Sequence, residues 1–146
     1  MKRIVFYLIA FLSIPLAAQS DYYTKKGVVV EGYDVTSYFT GTPEKGLKEF
    51  SVTYDGAEFY FSSAENKTMF QSNPEKYVPQ YGGYCAYAVG LKSQKIKIDP
   101  ETFEIRDGKL YLFYNAWGTN TLNLWNEKGA DELQQQADDN WKVIHN

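Results

Sequence analysis

Cys85 is the one thiol in 146 residues, and His145 is the one imidazole. A thiolate is both a soft metal ligand and a nucleophile, and an imidazole is a ligand or a general base. One of each excludes an intramolecular disulfide, a site of several imidazoles, and most zinc folds. Gly82-Gly83 and the helix start after them can bring backbone N–H groups near the Cys85 sulfur and favour its thiolate. The same position equally suits a small buried apolar side chain, since free cysteine is often fully buried. His145 stands one residue from the last position of the sequence. A frayed tail and a pairing with Cys85 are both open for it.

Other reaction classes lack their residues. The sequence has no His-Glu-x-x-His, no Gly-x-Ser-x-Gly, no phosphate loop and no Cys-x-x-Cys. Acidic residues are plentiful, but sequence alone shows no pair of them flanking one pocket, so a glycosidase reading has nothing specific beneath it. A peroxidase or thiol transferase at Cys85 needs an activating partner that the sequence does not supply.

The first twenty residues read as a secretory leader. Lys2 and Arg3 precede the apolar run Ile4–Leu12, followed by Pro15 and the small-residue exit Ala17-Ala18-Gln19-Ser20. That run is shorter than the roughly 20 residues a membrane-spanning helix needs. Cleavage after Ala18 or after Ser20 both fit. Removing the leader takes two of the 15 basic residues and none of the 18 acidic ones, moving the formal charge from −3 to −5. Such a chain is no basic nucleic-acid binder, and no later apolar run could span a bilayer.

Residues 21–146 have the composition of a folded domain, since the whole sequence is 44% hydrophobic and 17% aromatic. Two hairpins are predicted. Glu49–Tyr54 and Ala57–Phe61 flank Asp55-Gly56, a type I′ turn pair that places Tyr54 opposite Ala57, Val52 opposite Phe59 and Phe50 opposite Phe61. Phe103–Arg106 and Lys109–Phe113 flank Asp107-Gly108, with Ile105 opposite Leu110 and Phe103 opposite Leu112. Between them Ser62-Ser63-Ala64-Glu65 reads as a capping box, with Ser62 as the cap of a helix that turns Met69 and Phe70 inward and stops before Pro74. Asn73-Pro74 starts a short turn through Tyr77. Gly82-Gly83 breaks the chain, and Tyr84–Val89 is predicted helical with Gly90 as its C-cap. Tyr81, Cys85 and Val89, four residues apart, share the buried side of that short helix.

Two further helices are predicted, Thr121 to Lys128 and a stripe of Ala130, Leu133, Ala137, Trp141 and Ile144. Asp131 and Glu132 suit the first turn of the second. The expected fold class is therefore α+β: a small single domain over 21–146, with two short antiparallel hairpins covered by short helices and a C-terminal helical extension.

In the middle of the chain the residues are recognisable. The stretches are Gly32-Tyr33-Asp34-Val35 with Tyr38-Phe39, Tyr60–Asn66 with Phe70, Asn73–Tyr77, Pro79–Ala86 and Asp107–Leu112. Over about residues 30–115 the sequence resembles the secreted YHS-domain family, in particular bacterial YHS domain-containing proteins. The resemblance implies a small metal-associated module, of the kind found beside copper-handling ATPases and in some monooxygenase systems. In that wider family, cysteines handle the metal, one of them in the strand-to-helix segment that reads here as Tyr60–Asn66. This sequence has Ser62, Ser63 and Asn66 in that segment, and a serine hydroxyl is a poor ligand for a soft metal.

Asp34, Tyr38 and Asn66 belong to the resemblance and are polar enough to line a candidate pocket, with Tyr60 and Tyr84 as its aromatic members. Asp34 equally suits the cap of a short element Val35–Phe39. Tyr60, Tyr84 and Tyr87 can form a semi-polar aromatic surface against the C-terminal helices or a partner. The expectation is a non-catalytic YHS-like periplasmic or secreted binding domain. It would handle a transition metal such as copper weakly, through Cys85, with His145 as a weaker second ligand. The alternative is a metal-free structural or protein-interaction module, with a protein partner in the envelope, that has lost the cysteine ligands. A thiol-dependent enzyme ranks below both.

Overall fold

Two Asp-Gly turns set the strand registers. The computed structural model describes residues 21–146, so the predicted leader over 1–20 lies outside the described residues. Strands β1 (Thr24–Lys25), β2 (Val28–Val29), β3 (Leu47–Tyr54) and β4 (Ala57–Phe61) form a sheet of order β1-β2-β4-β3. Its β2–β4 pair is parallel and the other two pairs are antiparallel. Asp55 (φ 48°) and Gly56 (φ 75°) both take the left-handed conformation that a type I′ turn requires. Tyr54 faces Ala57 and Val52 faces Phe59, as the turn predicts. Phe50 does not face Phe61: the register shifts between Ser51 and Leu47, and Leu47 takes that place. The outer end of β3 is an exposed edge, where burial does not hold the register and a bulge is tolerated.

Helix α1 (Ala64–Ser72) follows β4 directly, and α2 (Pro74–Tyr77) follows it with Pro74 in its first turn. Ser63, rather than Ser62, is the cap of α1, accepting from the Asn66 backbone N–H at 3.1 Å. Phe70 is buried as expected, but Met69 is 44% exposed, one position around the helix from the core. Helix α3 (Ala86–Lys92) runs through Gly90 and ends at Ser93, which takes the left-handed conformation. A Cβ on Gly90 would lie 2.8 Å from the Leu133 carbonyl oxygen, so Gly90 marks a helix crossing and not a cap.

The second hairpin, β5 (Asp99–Arg106) and β6 (Lys109–Phe113), pairs Ile105 with Leu110 and Phe103 with Leu112, as predicted. Leu110 to Phe113 are all buried, so both faces of β6 are covered. A two-residue pair, β7 (Asn115–Ala116) and β8 (Thr119–Asn120), leads into α4 (Thr121–Lys128) and α5 (Ala130–Ile144). The Asn120 side chain caps α4 by accepting from the Leu122 N–H at 3.0 Å. Along α5, Leu133 and Ala137 are buried while Ala130, Trp141 and Ile144 pack at the core's edge, which is the predicted stripe. One buried cluster runs from Val29 to Ala137, in a small mixed α/β domain of antiparallel hairpins and short helices.

Two left-handed turns were not foreseen. Val30, Glu31 and Gly32 have φ of 50°, 56° and 85°, and Tyr81, Gly82 and Gly83 have 56°, 61° and 87°. Left-handed backbone costs an L-residue roughly 1–2 kcal/mol and normally occurs at isolated residues. Here two runs of three lie close together, with the Val30 Cγ2 only 3.4 Å from where a Cβ on Gly83 would stand. Residues 21–23 lie across Gly82, whose added Cβ would collide with the Asp21 carbonyl oxygen. The Tyr23 N–H donates to the Gly82 carbonyl at 2.9 Å.

Among the described residues, one core group is left without a partner. The Tyr111 hydroxyl is buried with no hydrogen bond, and burial pushes its phenol up to about 12. A buried unpaired hydroxyl costs about 1–3 kcal/mol, so Tyr111→Phe is expected to stabilise the fold by about 1 kcal/mol. Urea unfolding measures it, and a clear loss of stability would show that the hydroxyl has a partner after all.

Candidate functional site

Asp34 is fully buried and holds a junction of three segments. Its Oδ1 accepts from the Thr36 backbone N–H at 2.9 Å and from the Thr36 hydroxyl at 2.7 Å, an Asx turn that starts the 3-10 segment Ser37–Thr40. Its Oδ2 accepts from the Ser62 N–H and Ser62 hydroxyl, both at 2.9 Å, and from the Asn66 amide at 2.8 Å. Asn66 Nδ2 also donates to Ser62 Oγ at 3.1 Å. All five bonds to the carboxylate come from uncharged donors, and together they tie the loop before β3 to the β4–α1 corner. From the sequence, Asp34 and Asn66 are candidate pocket residues and Ser62 a helix cap; in the structure Asn66 and Ser62 both donate to Asp34. Asp34 itself caps locally, through Thr36, as the alternative reading had it.

Cys85 is also fully buried. It stands at the start of α3, and its backbone N–H donates to the Ile96 carbonyl at 3.0 Å. The sulfur meets the Thr121 Oγ1 at 3.3 Å. Thr121 already gives its one hydroxyl proton to the Tyr114 carbonyl at 2.6 Å, so the Cys85 S–H is the donor of the pair. The expected backbone N–H contacts from Gly82-Gly83 to the sulfur are replaced by this side-chain contact with Thr121. Cys85 and Thr121 form the floor of a 480 Å³ cleft walled by residues of α3, α4 and the loop after α3.

His145 belongs to a different corner. Its ring stacks on Trp141 at 5.7 Å, and its Nδ1–H donates to the Trp141 carbonyl at 2.6 Å. It lines a 620 Å³ cleft with Tyr81, Asp138 and Trp141, and that cleft shares no lining residue with the one at Cys85. The pairing of His145 with Cys85 is therefore corrected: the helix end directs the imidazole onto Trp141. Among the described residues, no three His, Cys, Asp or Glu side chains are grouped to hold a metal ion.

The remaining candidates are dispersed. Tyr38 is buried edge-on against Phe103, and its hydroxyl donates to the Pro100 carbonyl at 2.6 Å. Burial holds its phenol well above the usual tyrosine range. Tyr60 is half-buried over Gly32 and Gly46. Tyr84 is half-buried between Tyr23 and Trp141, with the Lys95 ammonium 5.9 Å from its ring centre. Neither the 480 Å³ nor the 620 Å³ cleft is lined by Asp34, Tyr38, Tyr60, Asn66 or Tyr84. Thr121 was missed, and nothing local in the sequence points to a contact across 36 positions.

A small mixed α/β domain, with a buried carboxylate tying down its β4–α1 corner and a buried thiol at the start of α3, is the class that these features define. Residues 35–81 match the YHS domain family, and the fold is consistent with a YHS-like one. That match takes in Tyr38, the Ser62–Asn66 segment and α2, and stops short of Cys85. Comparison with curated proteins and with solved structures gives no match.

Proposed function

We propose that this protein is a non-catalytic YHS-like module with a structural or protein-interaction role, working without a bound metal, in the periplasm or outside the cell. One observation carries the reading. In the strand-to-helix segment, where the family resemblance implies a cysteine ligand, Ser62 and Asn66 are hydrogen-bonded to buried Asp34. Those side chains hold the fold together and are not free to turn towards a metal. Cys85 offers a single sulfur whose proton is directed at Thr121, and among the described residues no set of three His, Cys, Asp or Glu side chains is grouped to hold a metal. The extracellular placement rests on the basic, apolar and small-residue order of residues 1–20.

Copper, zinc and iron titrations of the reduced protein, beside Cys85→Ala, test this reading. Expected is no stoichiometric binding by either form. Stoichiometric copper binding that disappears in Cys85→Ala would overturn it and restore the metal-handling alternative.

A further inference from the structure

We propose that the 480 Å³ cleft above Cys85 binds a small single-chain amphiphile with an anionic head group, tail against α3 and α4 and head at Lys92 and Lys128. The volume falls within the roughly 300–1,000 Å³ of ordinary ligand pockets. Its walls are largely apolar, made by Tyr87, Leu91, Ile96, Tyr114 and Leu124. Leu91 and Ile96 remain 43% and 36% exposed, an apolar rim that folding leaves in contact with water.

Polarity separates the floor from the rim. At the floor, the Cys85 thiol donates to Thr121, and Thr121 donates to the Tyr114 carbonyl. A floor whose donors are already paired suits an alkyl chain and gives a polar ligand nothing to gain. The charged lining residues of this cleft are Lys92 and Lys128, with no carboxylate among them, in a chain of net charge −3. Among the described residues, neither lysine takes part in an ion pair. The 620 Å³ cleft differs, because Asp21, Asp55 and Asp138 offset Lys109 and Lys142 there. One-signed charge beside an uncovered apolar wall is the complement of a carboxylate on a short alkyl tail.

Nitrogen-15 shift titrations of the purified full chain with sodium octanoate, 1-octanol and octylammonium chloride test the proposal. Saturable shifts with octanoate are expected in α3, the loop through Ile96, and α4. Octanoate should bind about tenfold more tightly than octylammonium, and Lys92→Ala/Lys128→Ala should remove that preference while leaving octanol unchanged. Ile96→Glu, a change at an exposed position, should abolish octanoate binding with the folded spectrum intact. Equal affinity for octanoate and octylammonium, shifts that never saturate, or octanoate binding that survives Ile96→Glu would each overturn it. So would saturable binding of an acidic, leucine-rich peptide at this cleft with none of octanoate, which would assign the surface to a protein ligand.

Discussion

Asp34→Ala is expected to destabilise the protein by roughly 3–5 kcal/mol, among the largest effects of any single substitution. The truncation leaves the Thr36 hydroxyl, the Ser62 N–H and hydroxyl, and the Asn66 amide facing an empty corner. Each buried donor that loses its acceptor costs about 1–3 kcal/mol before relaxation, and bonds to a carboxylate stand at the upper end. Asp34→Asn keeps the shape but turns an NH2 group towards donors on at least one side, so a loss of about 2 kcal/mol or more is expected there too. A double-mutant cycle with Ser62→Ala isolates the cross-segment bond, because these residues are 28 positions apart in the chain. The measurement is the urea midpoint at constant slope. An Asp34→Ala protein within about 1 kcal/mol of the parent would show that the junction is not what holds the β4–α1 corner.

Trp125→Ala is the second large effect, at about 3–5 kcal/mol. Trp125 is fully buried in α4, with Phe113 at 5.5 Å and Tyr111 at 6.1 Å between ring centres. Its indole N–H donates to Glu104 Oε2 at 3.1 Å, which fastens α4 to β5. The family match ends at Tyr81, so this residue tests whether the C-terminal helices belong to the same folding unit. Their contribution to the one buried cluster predicts that α4, α5 and the β5–β6 hairpin unfold together. Coincident far-ultraviolet circular dichroism and tryptophan fluorescence transitions are expected in the parent, with both midpoints lowered in Trp125→Ala. Two separate transitions would make the helices an appendage. Trp125→Phe keeps most of the apolar volume and removes the bond to Glu104, so a smaller loss of about 1–2 kcal/mol is expected.

How much the sequence revealed depended on how far apart the partners lie. Both Asp-Gly turns were legible because the geometry they demand is contained in two residues, and the facing pairs beside them followed. The α5 stripe was legible for the same reason, a period of 3.6 read over four turns. Ser62 and Ser63 are equally good caps in a local reading, and it is Asp34, far back in the chain, that claims the first and leaves the second to α1. Gly90 looks like a helix end until Leu133 is placed against it. Leu110-Tyr111-Leu112-Phe113 shows no alternation because β6 is buried on both faces, with α2, α3 and the Gln80–Gly83 turn packed against it, so its burial outran the pattern. For the candidate site, the Cys85–Thr121 contact and the separation of His145 from Cys85 rest on tertiary placement alone.

The paired left-handed turns also bear on the order in which the chain folds. The two Asp-Gly hairpins are local and can close in about 1–10 μs. Val30–Gly32 and Tyr81–Gly83 each close one backbone bond of their own, from the Tyr33 N–H to the Val30 carbonyl and from the Tyr84 N–H to the Tyr81 carbonyl, both at 3.0 Å, but the left-handed residues work against each turn until the two dock. Val30 meets Gly83 only when the two distant segments have docked, and residues 21–23 can lie over Gly82 only after that. The turns therefore act as a clasp set after the hairpins have formed, and they open together or not at all.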